Sequence, residues 1–360
     1  YGQLNGGGAE RVLLDILHNI DYSQNEVDLC QIIGGGTLID EVPKEVNIIS
    51  LWNGYTFSYK LAVRLSNILG CDYLFKRALK KKIIKSYDLE ISFLEGFPLK
   101  IHAMMDTTAK KVTWVHCDLL RFPYTDSQFR AGEQLAAYNK MDTVVCVAND
   151  TKKAFEQRFP TCTSKVMVIY NPIDREKILK LSKAFTLKNG LFTVITSGRL
   201  TLPKKMDRIL RVAKRFKEER INVRFQIIGD GELKQELMEK RRQLDVEDMV
   251  EFLGFQKNPF PYIKQADMMF CCSGYEGFCL VICEAMCLGV PVVSTKTSGP
   301  IEILDNNQYG LLCEHDDKAM YEAVKRMYED KELRDYYSRQ GEKRILDFSP
   351  QIIVSGIDKL

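Results

Sequence analysis

Two acidic residues, Glu276 and Glu284, interrupt the otherwise apolar stretch EGFCLVICEAMCLGVPVVST, which covers residues 276–295. The glycines of the sequence CSGYEGF predict a loop that carries Glu276, followed by a helix that holds Glu284 about one turn inside it. The first N–H groups of a helix have no acceptor within the helix, and they bind anions, phosphate in particular. One acid on each side of such a terminus fits a ligand with a central phosphate and hydroxyls at both ends. A sugar on one side and a ribose on the other meet that description.

A basic turn is the second candidate for chemistry. The sequence TSGRLTLPKKMDRIL, residues 196–210, follows a strand pattern and supplies Arg199 and Lys204. Paired cations stabilise the negative charge of a departing phosphate without a metal ion. Taken alone, these residues are also typical of a solvated basic turn, but their place after a strand and Ser-Gly favours a phosphate contact. An exposed helix acid is the corresponding alternative for Glu284, and its apolar neighbours disfavour it.

His116 follows a third strand pattern, in KKVTWVHCDL, and a strand end faces the ligand side of an α/β sheet. The alternative is a core histidine that is hydrogen-bonded to backbone. Asp118 either joins the site or caps a turn. Glu95 ends another strand, so we expect it on the acceptor side.

The composition indicates a soluble globular chain. Its 360 residues suit two domains, and the net charge of +3 does not indicate a nucleic-acid partner. No run of eighteen apolar residues predicts a transmembrane helix, and no signal peptide is recognised. The chain enters a Gly-rich loop at once, so we expect a strand to precede Tyr1. The eleven cysteines show no metal spacing and are typical of small buried hydrophobes in a reducing cytosol.

Short β-branched runs alternate with helical patterns, which predicts an α/β fold with helices on both faces of parallel sheets. Strands are predicted at residues 27–33, 46–51, 89–93, 112–115, 143–147, 166–169, 192–196, 224–228, 268–271, 291–294 and 310–313. Helices are predicted at residues 10–19, 73–86, 128–141, 151–158, 206–219, 233–244, 280–288, 318–328 and 332–346. The sequence YNPIDREK predicts a domain boundary, which gives domains at 1–172 and 173–346 that face each other across a cleft. A last helix at about 347–360 is expected to pack back on the first domain.

The pattern E-G-F-x5-E-A-x-x-x-G-x-P-V-V resembles the nucleotide-sugar signature of the retaining GT-B glycosyltransferases of family 4. Four further segments resemble that family in the same order, so the resemblance covers essentially the whole chain. They are NGGGAER (5–11), NPID (171–174), IIGDGEL (227–233) and VEFLGF (250–255), in addition to the basic turn. The resemblance implies two Rossmann-like domains and metal-independent sugar transfer from a nucleotide diphosphate sugar.

The resemblance also implies roles for residues. Glu276 would contact the sugar hydroxyls, Glu284 the ribose diol, and Arg199 with Lys204 the diphosphate. Lys205 stands where the family usually has glycine, which leaves open which lysine reaches the phosphate. The resulting catalytic set is His116, Glu276, Arg199 and Lys204. The donor-binding set is Gly7, Gly8, Lys205, Gly254, Phe255, Gln256, Gly277, Phe278, Cys279, Leu280 and Glu284. The acceptor-side set is Asn5, Glu95 and Asp118, and no metal ligands or cofactors are expected.

The resemblance thus predicts a hexosyltransferase for a UDP- or GDP-sugar and a glycan or polyprenyl-linked acceptor, as in bacterial polysaccharide synthesis. The alternatives are a GT-B nucleotide-sugar epimerase or hydrolase, and a non-catalytic nucleotide-sugar-binding protein. An NAD-binding enzyme is disfavoured because NGGGAER lacks the GxGxxG spacing.

The segment Tyr73–Lys85 carries six basic residues, and Phe75, Leu79 and Ile83 share one helical face. This pattern suits an amphipathic helix on an anionic membrane, at about 1 kcal/mol per basic residue near the surface. A helix packed on the sheet with a solvated basic face explains it equally well. The expected location is cytoplasmic, with peripheral attachment to the inner face of the cell membrane.

Overall fold

The computed structural model describes residues 1–187, 190–357 and 359–360. The chain divides into two compact units. The first consists of Tyr1–Pro172 with Pro350–Leu360, and the second of Ile173–Ser349. Within the described residues, no helix is long and apolar enough to cross a membrane.

The first unit contains two parallel sheets. Strands β1 (Asp28–Ile33) and β2 (Asn47–Trp52) form one sheet. Strands β3 (Leu89–Ser92), β4 (Lys110–Val115), β5 (Thr143–Cys146) and β6 (Lys165–Val168) form the other, in that order. The first helices of the unit are α1 (Gly8–Leu17), α2 (Phe57–Leu69), α3 (Tyr73–Lys82), α4 (Phe97–His102), α5 (Glu133–Tyr138) and α6 (Asn149–Arg158).

The second unit contains one parallel sheet of six strands, in the order β12-β11-β10-β7-β8-β9. The strands are β7 (Phe192–Ser197), β8 (Val223–Ile228), β9 (Val250–Gly254), β10 (Met268–Cys271), β11 (Val292–Thr295) and β12 (Leu311–Cys313). The helices are α7 (Arg175–Leu181), α8 (Asp207–Glu218), α9 (Lys234–Gln243), α10 (Phe260–Lys264), α11 (Leu280–Cys287), α12 (Ser298–Ile303), α13 (Asp317–Glu329) and α14 (Lys331–Arg344). The last helix of the chain, α15 (Pro350–Ile357), belongs to the first unit.

Each predicted strand is present within two residues of its predicted bounds, whereas β9 was not predicted. The predicted helix at 128–141 is wrong in length, because Gly132 adopts a left-handed φ of 75° and α5 begins only after it. Five helices were missed. They are α2, α4, α7, α10 and α12.

The N-terminal residues lie alongside β1. The backbone N–H groups of Ile32 and Ile33 donate to the carbonyls of Tyr1 and Gly2, at 2.9 and 3.2 Å. The Tyr1 ammonium donates to the Cys30 carbonyl at 2.8 Å. The Gly-rich loop is therefore reached from an extended segment that pairs with the sheet.

Of the two interpretations of the segment Tyr73–Lys85, the structure agrees with the packed helix, because its apolar face lies in the core. Phe75 and Leu79 of α3 are buried in a cluster with residues of β1 and β2, and Ile83 packs against that cluster. Phe75 contacts Trp52 edge-on, with 5.3 Å between ring centroids. Phe75, Leu79 and Ile83 therefore pack within the first unit, as the second interpretation has it. The basic side chains of α3 remain on its exposed face.

Candidate active site

The topology of the second unit points to the junction between β7 and β10. The chain winds from β7 through β8 to β9 on one side, and then returns to place β10, β11 and β12 on the other. In open parallel sheets, ligands bind beyond the carboxyl ends of the strands at such a reversal. The loops that follow β7 and β10 hold the basic turn and Glu276. The sheet therefore brings together the two segments that the sequence singled out.

Two glycines of the IIGDGEL segment allow the loop after β8 to approach the loop after β7. A Cβ on Gly229 would lie 1.9 Å from the Gly198 carbonyl oxygen, and a Cβ on Gly231 would lie 2.5 Å from the Leu200 carbonyl oxygen. The approach is fixed by the Leu200 N–H, which donates to Asp230 O at 2.9 Å. Any larger residue at either glycine would push the basic turn away from its place.

Lys204 and Glu276 form the centre of this cluster. The Lys204 Nζ lies 2.6 Å from Glu276 Oε1, and the two side chains are 25% and 9% exposed. The Ser273 hydroxyl donates to the same carboxylate at 2.6 Å. Burial alone would lower the pKa of the Lys204 ammonium, but the Glu276 carboxylate reverses the effect and the pKa is raised. Lys204 is thus a firmly charged cation beside a loop that can receive an anion.

The loop around Glu276 is anchored from three sides. The Arg208 Nη1 donates to the carbonyls of Cys272 and Ser273, at 2.9 and 3.2 Å. The Thr295 hydroxyl donates to Ser273 O at 2.6 Å, and the Gly274 N–H donates to Pro203 O at 2.7 Å. Arg208 and Thr295 were missed from the sequence, since nothing in their spacing relates them to Ser273.

The other residues of the basic turn differ in their surroundings. Arg199 is exposed, directly after Gly198. Lys205 adopts a left-handed backbone with φ of 48°, and its Cγ lies 3.3 Å from the position of a Cβ on Gly274. It forms no ion pair within the described part of the chain. The geometry therefore selects Lys204, rather than Lys205, as the lysine that is coupled to Glu276.

Helix α11 begins beside this cluster, as predicted. Cys279 precedes its first residue, Leu280, with a left-handed φ of 73° and no capping hydrogen bond from its side chain. Gly277 and Phe278 lie in the turn before it, and a Cβ on Gly299 would come within 2.4 Å of the Phe278 carbonyl oxygen. The half-buried Glu284 lies four residues beyond Leu280, about one turn inside the helix.

Three residues of the predicted donor-binding set, Gly254, Phe255 and Gln256, lie at the end of β9. Gly254 has a left-handed φ of 68°, and the Phe255 side chain after it is 67% exposed. The Gln256 Nε2 donates to Leu253 O at 2.6 Å, which closes the turn. An exposed aromatic ring at a strand end can stack on a flat ligand.

In the first unit, Glu95 and His116 lie together at the ends of β3 and β4. The backbone N–H of His116 and the Tyr124 hydroxyl each donate to the buried Glu95 carboxylate at 2.9 Å. Burial lowers the pKa of the His116 imidazole, and its Nε2 has no hydrogen-bond partner in the described residues. A neutral, inward-directed imidazole with one unused nitrogen is suited to a hydrogen bond with a ligand hydroxyl.

The remaining predicted residues of the first unit have structural contacts. Asp118 Oδ1 accepts from the Leu120 and Arg121 N–H groups at 3.0 Å, so its carboxylate caps a turn. The Asn5 side chain donates to Gln3 at 3.1 Å. Gly7 and Gly8 lie at the start of α1, where Gly7 is its N-cap.

Comparison with known proteins decides the family. The family described as "Glycosyltransferase Family 4" matches residues 6–177, and the one described as "Glycosyl transferases group 1" matches residues 178–344. The chain belongs to glycosyltransferase family 4. The resemblance inferred from the sequence motifs is therefore confirmed.

Two relatives of this family 4 chain come from Campylobacter jejuni. N-acetylgalactosamine-N,N'-diacetylbacillosaminyl-diphospho-undecaprenol 4-alpha-N-acetylgalactosaminyltransferase is 30% identical over 59% of this chain and 57% of its own length. GalNAc-alpha-(1->4)-GalNAc-alpha-(1->3)-diNAcBac-PP-undecaprenol alpha-1,4-N-acetyl-D-galactosaminyltransferase is 26% identical over 96% of this chain and 92% of its own length. The chain spans about three fifths of the length of the first curated relatives it matches.

Among solved structures, Anabaena HepE in complex with UDP and glucose is similar to 99% of this chain and 97% of its own, with a TM-score of 0.72 and 20% identity. A likeness at this identity shows the fold alone. The fold is GT-B, with two Rossmann-like domains built on parallel sheets, as the sequence predicted.

Proposed function

We propose that this chain is a retaining glycosyltransferase that moves a hexose from a nucleotide diphosphate sugar to a glycan or lipid-linked acceptor. The observation that carries the proposal is the Lys204–Glu276 pair, which lies at the strand reversal beside the start of α11. A diphosphate needs cations and N–H donors, and the sugar next to it needs a hydroxyl acceptor. The second unit supplies all of these within one loop cluster.

The pair also suggests how the site works. In the structure Glu276 holds Lys204, and an arriving diphosphate competes for the ammonium. When Lys204 and Arg199 turn to the diphosphate, Glu276 is released to accept hydrogen bonds from sugar hydroxyls. As the bond from the sugar C1 to the phosphate oxygen breaks, negative charge grows on that phosphate, and both cations stabilise it more strongly than before. The oxygen of the acceptor hydroxyl then bonds to C1 on the face that the phosphate leaves, and its proton passes to the departing phosphate oxygen.

UDP-sugars are the first donors to test, because HepE was solved with UDP and glucose. We expect UDP to bind in calorimetry, and Lys204→Met to weaken it at least tenfold, since a charge-assisted phosphate contact contributes about 1.5–3 kcal/mol. Lys205→Met is the matched control and should change binding little. Equal losses in both variants would count against the assignment of Lys204, and GDP binding without UDP binding would correct the base.

Transfer without a metal ion is part of the proposal. The Lys204 ammonium lies beside the Glu276 carboxylate. Its positive charge takes the role that a divalent cation would otherwise have, which is to stabilise the diphosphate. We therefore expect transfer to continue in EDTA. Activity that disappears in EDTA and returns with Mg²⁺ or Mn²⁺ would refute this part.

A lipid-linked acceptor is proposed because the names of both Campylobacter relatives contain undecaprenol. Release of sugar from the donor with no acceptor present, at the same rate as with one, would instead favour the hydrolase or epimerase alternative. Donor binding with no turnover under any acceptor would favour a binding protein.

We also propose peripheral attachment to an anionic membrane, through side chains other than those first predicted. Phe57, Leu61 and Ile68 recur at spacings of four and seven on α2, so they share one face, and they are 82%, 37% and 66% exposed. Residues 57–85 contain eight lysines and arginines and one aspartate. Apolar side chains within a basic surface suit an anionic bilayer.

Vesicle co-sedimentation tests this surface. Phe57→Ser with Ile68→Ser should weaken binding to anionic vesicles at any salt concentration. The triple variant Lys80→Glu, Lys81→Glu, Lys82→Glu should abolish the salt-sensitive part. Activity on a short water-soluble acceptor should persist in both. Sedimentation of both variants like the parent would show that the surface is merely solvated.

A further inference from the structure

Two thiols lie in contact at the ends of the loop that carries Glu276, residues 272–278, which we call the donor loop. Cys271 is the last residue of β10, Cys279 caps α11, and their Sγ atoms lie 3.5 Å apart. Both are buried, at 3% and 6% exposure. The seven residues between them form the loop that carries Glu276. The two cysteines therefore close the loop at its two ends.

The two thiols are not equivalent in reactivity. A hydrogen bond with Cys279 lowers the pKa of Cys271 to about 7, although burial and the Glu276 carboxylate raise it, and the Lys204 ammonium adds to the lowering. Burial instead raises the pKa of Cys287 and of Cys313 to about 12. A thiolate attacks peroxides, whereas a thiol does not. The geometry thus pairs one nucleophilic sulfur with a second sulfur placed to resolve it.

The backbone at Cys279 adds an independent observation. Its φ of 73° and ψ of 67° lie in the left-handed region, which costs a non-glycine residue about 1–2 kcal/mol. Glycine would adopt this conformation without strain. The structure keeps a strained cysteine where its sulfur contacts Cys271.

Two neighbouring thiols can also bind a metal ion. The two sulfurs and a carboxylate oxygen of Glu276 lie within 4.8 Å of one another. That carboxylate, however, already holds the Lys204 ammonium at 2.6 Å, and this charge opposes a cation in the same place. The cluster therefore fits sulfur oxidation better than metal binding.

We propose that Cys271 and Cys279 form an oxidisable dithiol, which a hydroperoxide converts to a disulfide that reversibly inactivates the donor loop. The Cys271 thiolate attacks one peroxide oxygen, the O–O bond breaks, and the hydroxide that leaves is protonated to water. Cys279 then loses its proton and attacks the Cys271 sulfenic acid, the S–O bond breaks, and a second water leaves. Two thiols and one hydrogen peroxide thus give one disulfide and two waters.

The inactivation rests on the proposed donor site. A disulfide holds its sulfurs about 2.05 Å apart, so oxidation draws the two Sγ atoms together by about 1.5 Å and pulls on the two ends of the loop. Cys279 opens α11 and the loop carries Glu276, so the shift displaces the N–H groups and the carboxylate proposed to bind the donor. In a reducing cytosol such a disulfide would be transient, as regulatory disulfides are.

The test exposes the full chain to hydrogen peroxide, with and without saturating UDP. Cleavage after Glu276 places the two cysteines on separate peptides, so their disulfide appears as a cross-linked pair of peptides that dithiothreitol separates. Cys271→Ser and Cys279→Gly should both abolish this pair, and Cys287→Ala, a buried thiol of the same helix, should not. Because Cys279→Gly suits the left-handed backbone, misfolding would not explain its result.

Oxidised protein should bind UDP about tenfold more weakly, and dithiothreitol should restore binding. By reciprocity, UDP should slow formation of the disulfide. Peroxide that consumes other thiols while this pair stays unlinked would overturn the proposal, as would full UDP binding by the cross-linked protein. If the disulfide forms in a chain that binds neither UDP nor GDP even when reduced, the donor-site proposal fails and the inactivation falls with it.

Discussion

Removing either partner of the Lys204–Glu276 pair should destabilise the second unit by amounts that do not add. Within the described residues, Lys204→Met leaves the Glu276 carboxylate, which is 9% exposed, with the Ser273 hydroxyl as its remaining donor. Glu276→Gln leaves the lysine, which is 25% exposed, without its counter-charge. The double variant leaves neither charge. It should therefore be more stable than the Lys204→Met single variant.

The magnitude follows from the geometry. At 2.6 Å and an effective dielectric constant of about 20, the attraction is roughly 6 kcal/mol before desolvation. Desolvation offsets most of it, but breaking a buried pair from one side costs about 3–5 kcal/mol. Because water still reaches Lys204, we expect a loss of about 2–3 kcal/mol for Lys204→Met. For Glu276→Gln and for the double variant we expect about 1 kcal/mol each, which gives a coupling free energy of about 2–3 kcal/mol.

The two tryptophans provide an assay that separates the units. Trp52 and Trp114 both lie in the first unit, so tryptophan fluorescence follows its unfolding, while circular dichroism follows helices of both. In a urea titration at pH 7.5, the variants should lower the dichroism transition of the second unit and leave the fluorescence midpoint unchanged. Lys205→Met is the control of equal charge change.

The effect should be constant between pH 6 and 9. The Lys204 pKa is raised in the folded state, so its contribution is complete below the unfolded pKa of about 10.4 and is lost only as pH rises above that. A coupling below about 0.5 kcal/mol at pH 7.5, or a fluorescence midpoint that moves with the dichroism, would refute the reasoning.

The other predictions concern single residues. Glu284→Ala should raise KM for the donor more than Glu276→Ala does. Glu276→Ala should mainly lower kcat, because contacts to the reacting sugar strengthen in the transition state. A change only in KM for Glu276→Ala would contradict this assignment of roles. Lys205→Gly should stabilise the second unit by about 1 kcal/mol, since its φ is 48°, with UDP affinity unchanged; weaker UDP binding would give Lys205 the phosphate role. Burial lowers the pKa of His116, so the first unit should lose stability as pH falls below about 6.5, and His116→Gln should reduce that loss in fluorescence-monitored unfolding; unchanged acid sensitivity would contradict it.

The sequence predicted the strands well because their signal is local. A strand that is buried on both faces of a parallel sheet is mostly apolar along its length, as in Met268–Cys271, whose four residues are all buried. Helix α2 was missed for the opposite reason. Its buried residues are Ala62 and Ser66, while the large apolar side chains of Phe57 and Ile68 are exposed. The spacing of its apolar residues therefore does not mark the face that packs against the core.

The candidate site shows the same division. Glu276 and Lys204 were recognisable by their motifs, and the structure places them in contact. The Arg208 bonds to the loop could not be predicted, because the partners are backbone carbonyls 64 and 65 residues away. The contact of Cys271 with Cys279 was missed because the cysteines were interpreted only as small buried hydrophobes. Cys279 lies just before α11 with a left-handed φ of 73°, and this backbone conformation leaves no signal in the sequence pattern.

The first unit is discontinuous, and this affects how it forms during synthesis. Helix α15 packs against α1, and its Ile353 is buried, yet the ribosome makes Ile173–Ser349 between the two parts of the unit. At roughly 5–20 residues per second, that interval lasts about 9–35 s. During this time α15 has not yet been made. The apolar surface of α1 against which α15 packs is therefore exposed to solvent and to chaperones. A nascent chain stalled before residue 350 should therefore remain protease-sensitive near α1, even though every strand of the first unit has already left the ribosome.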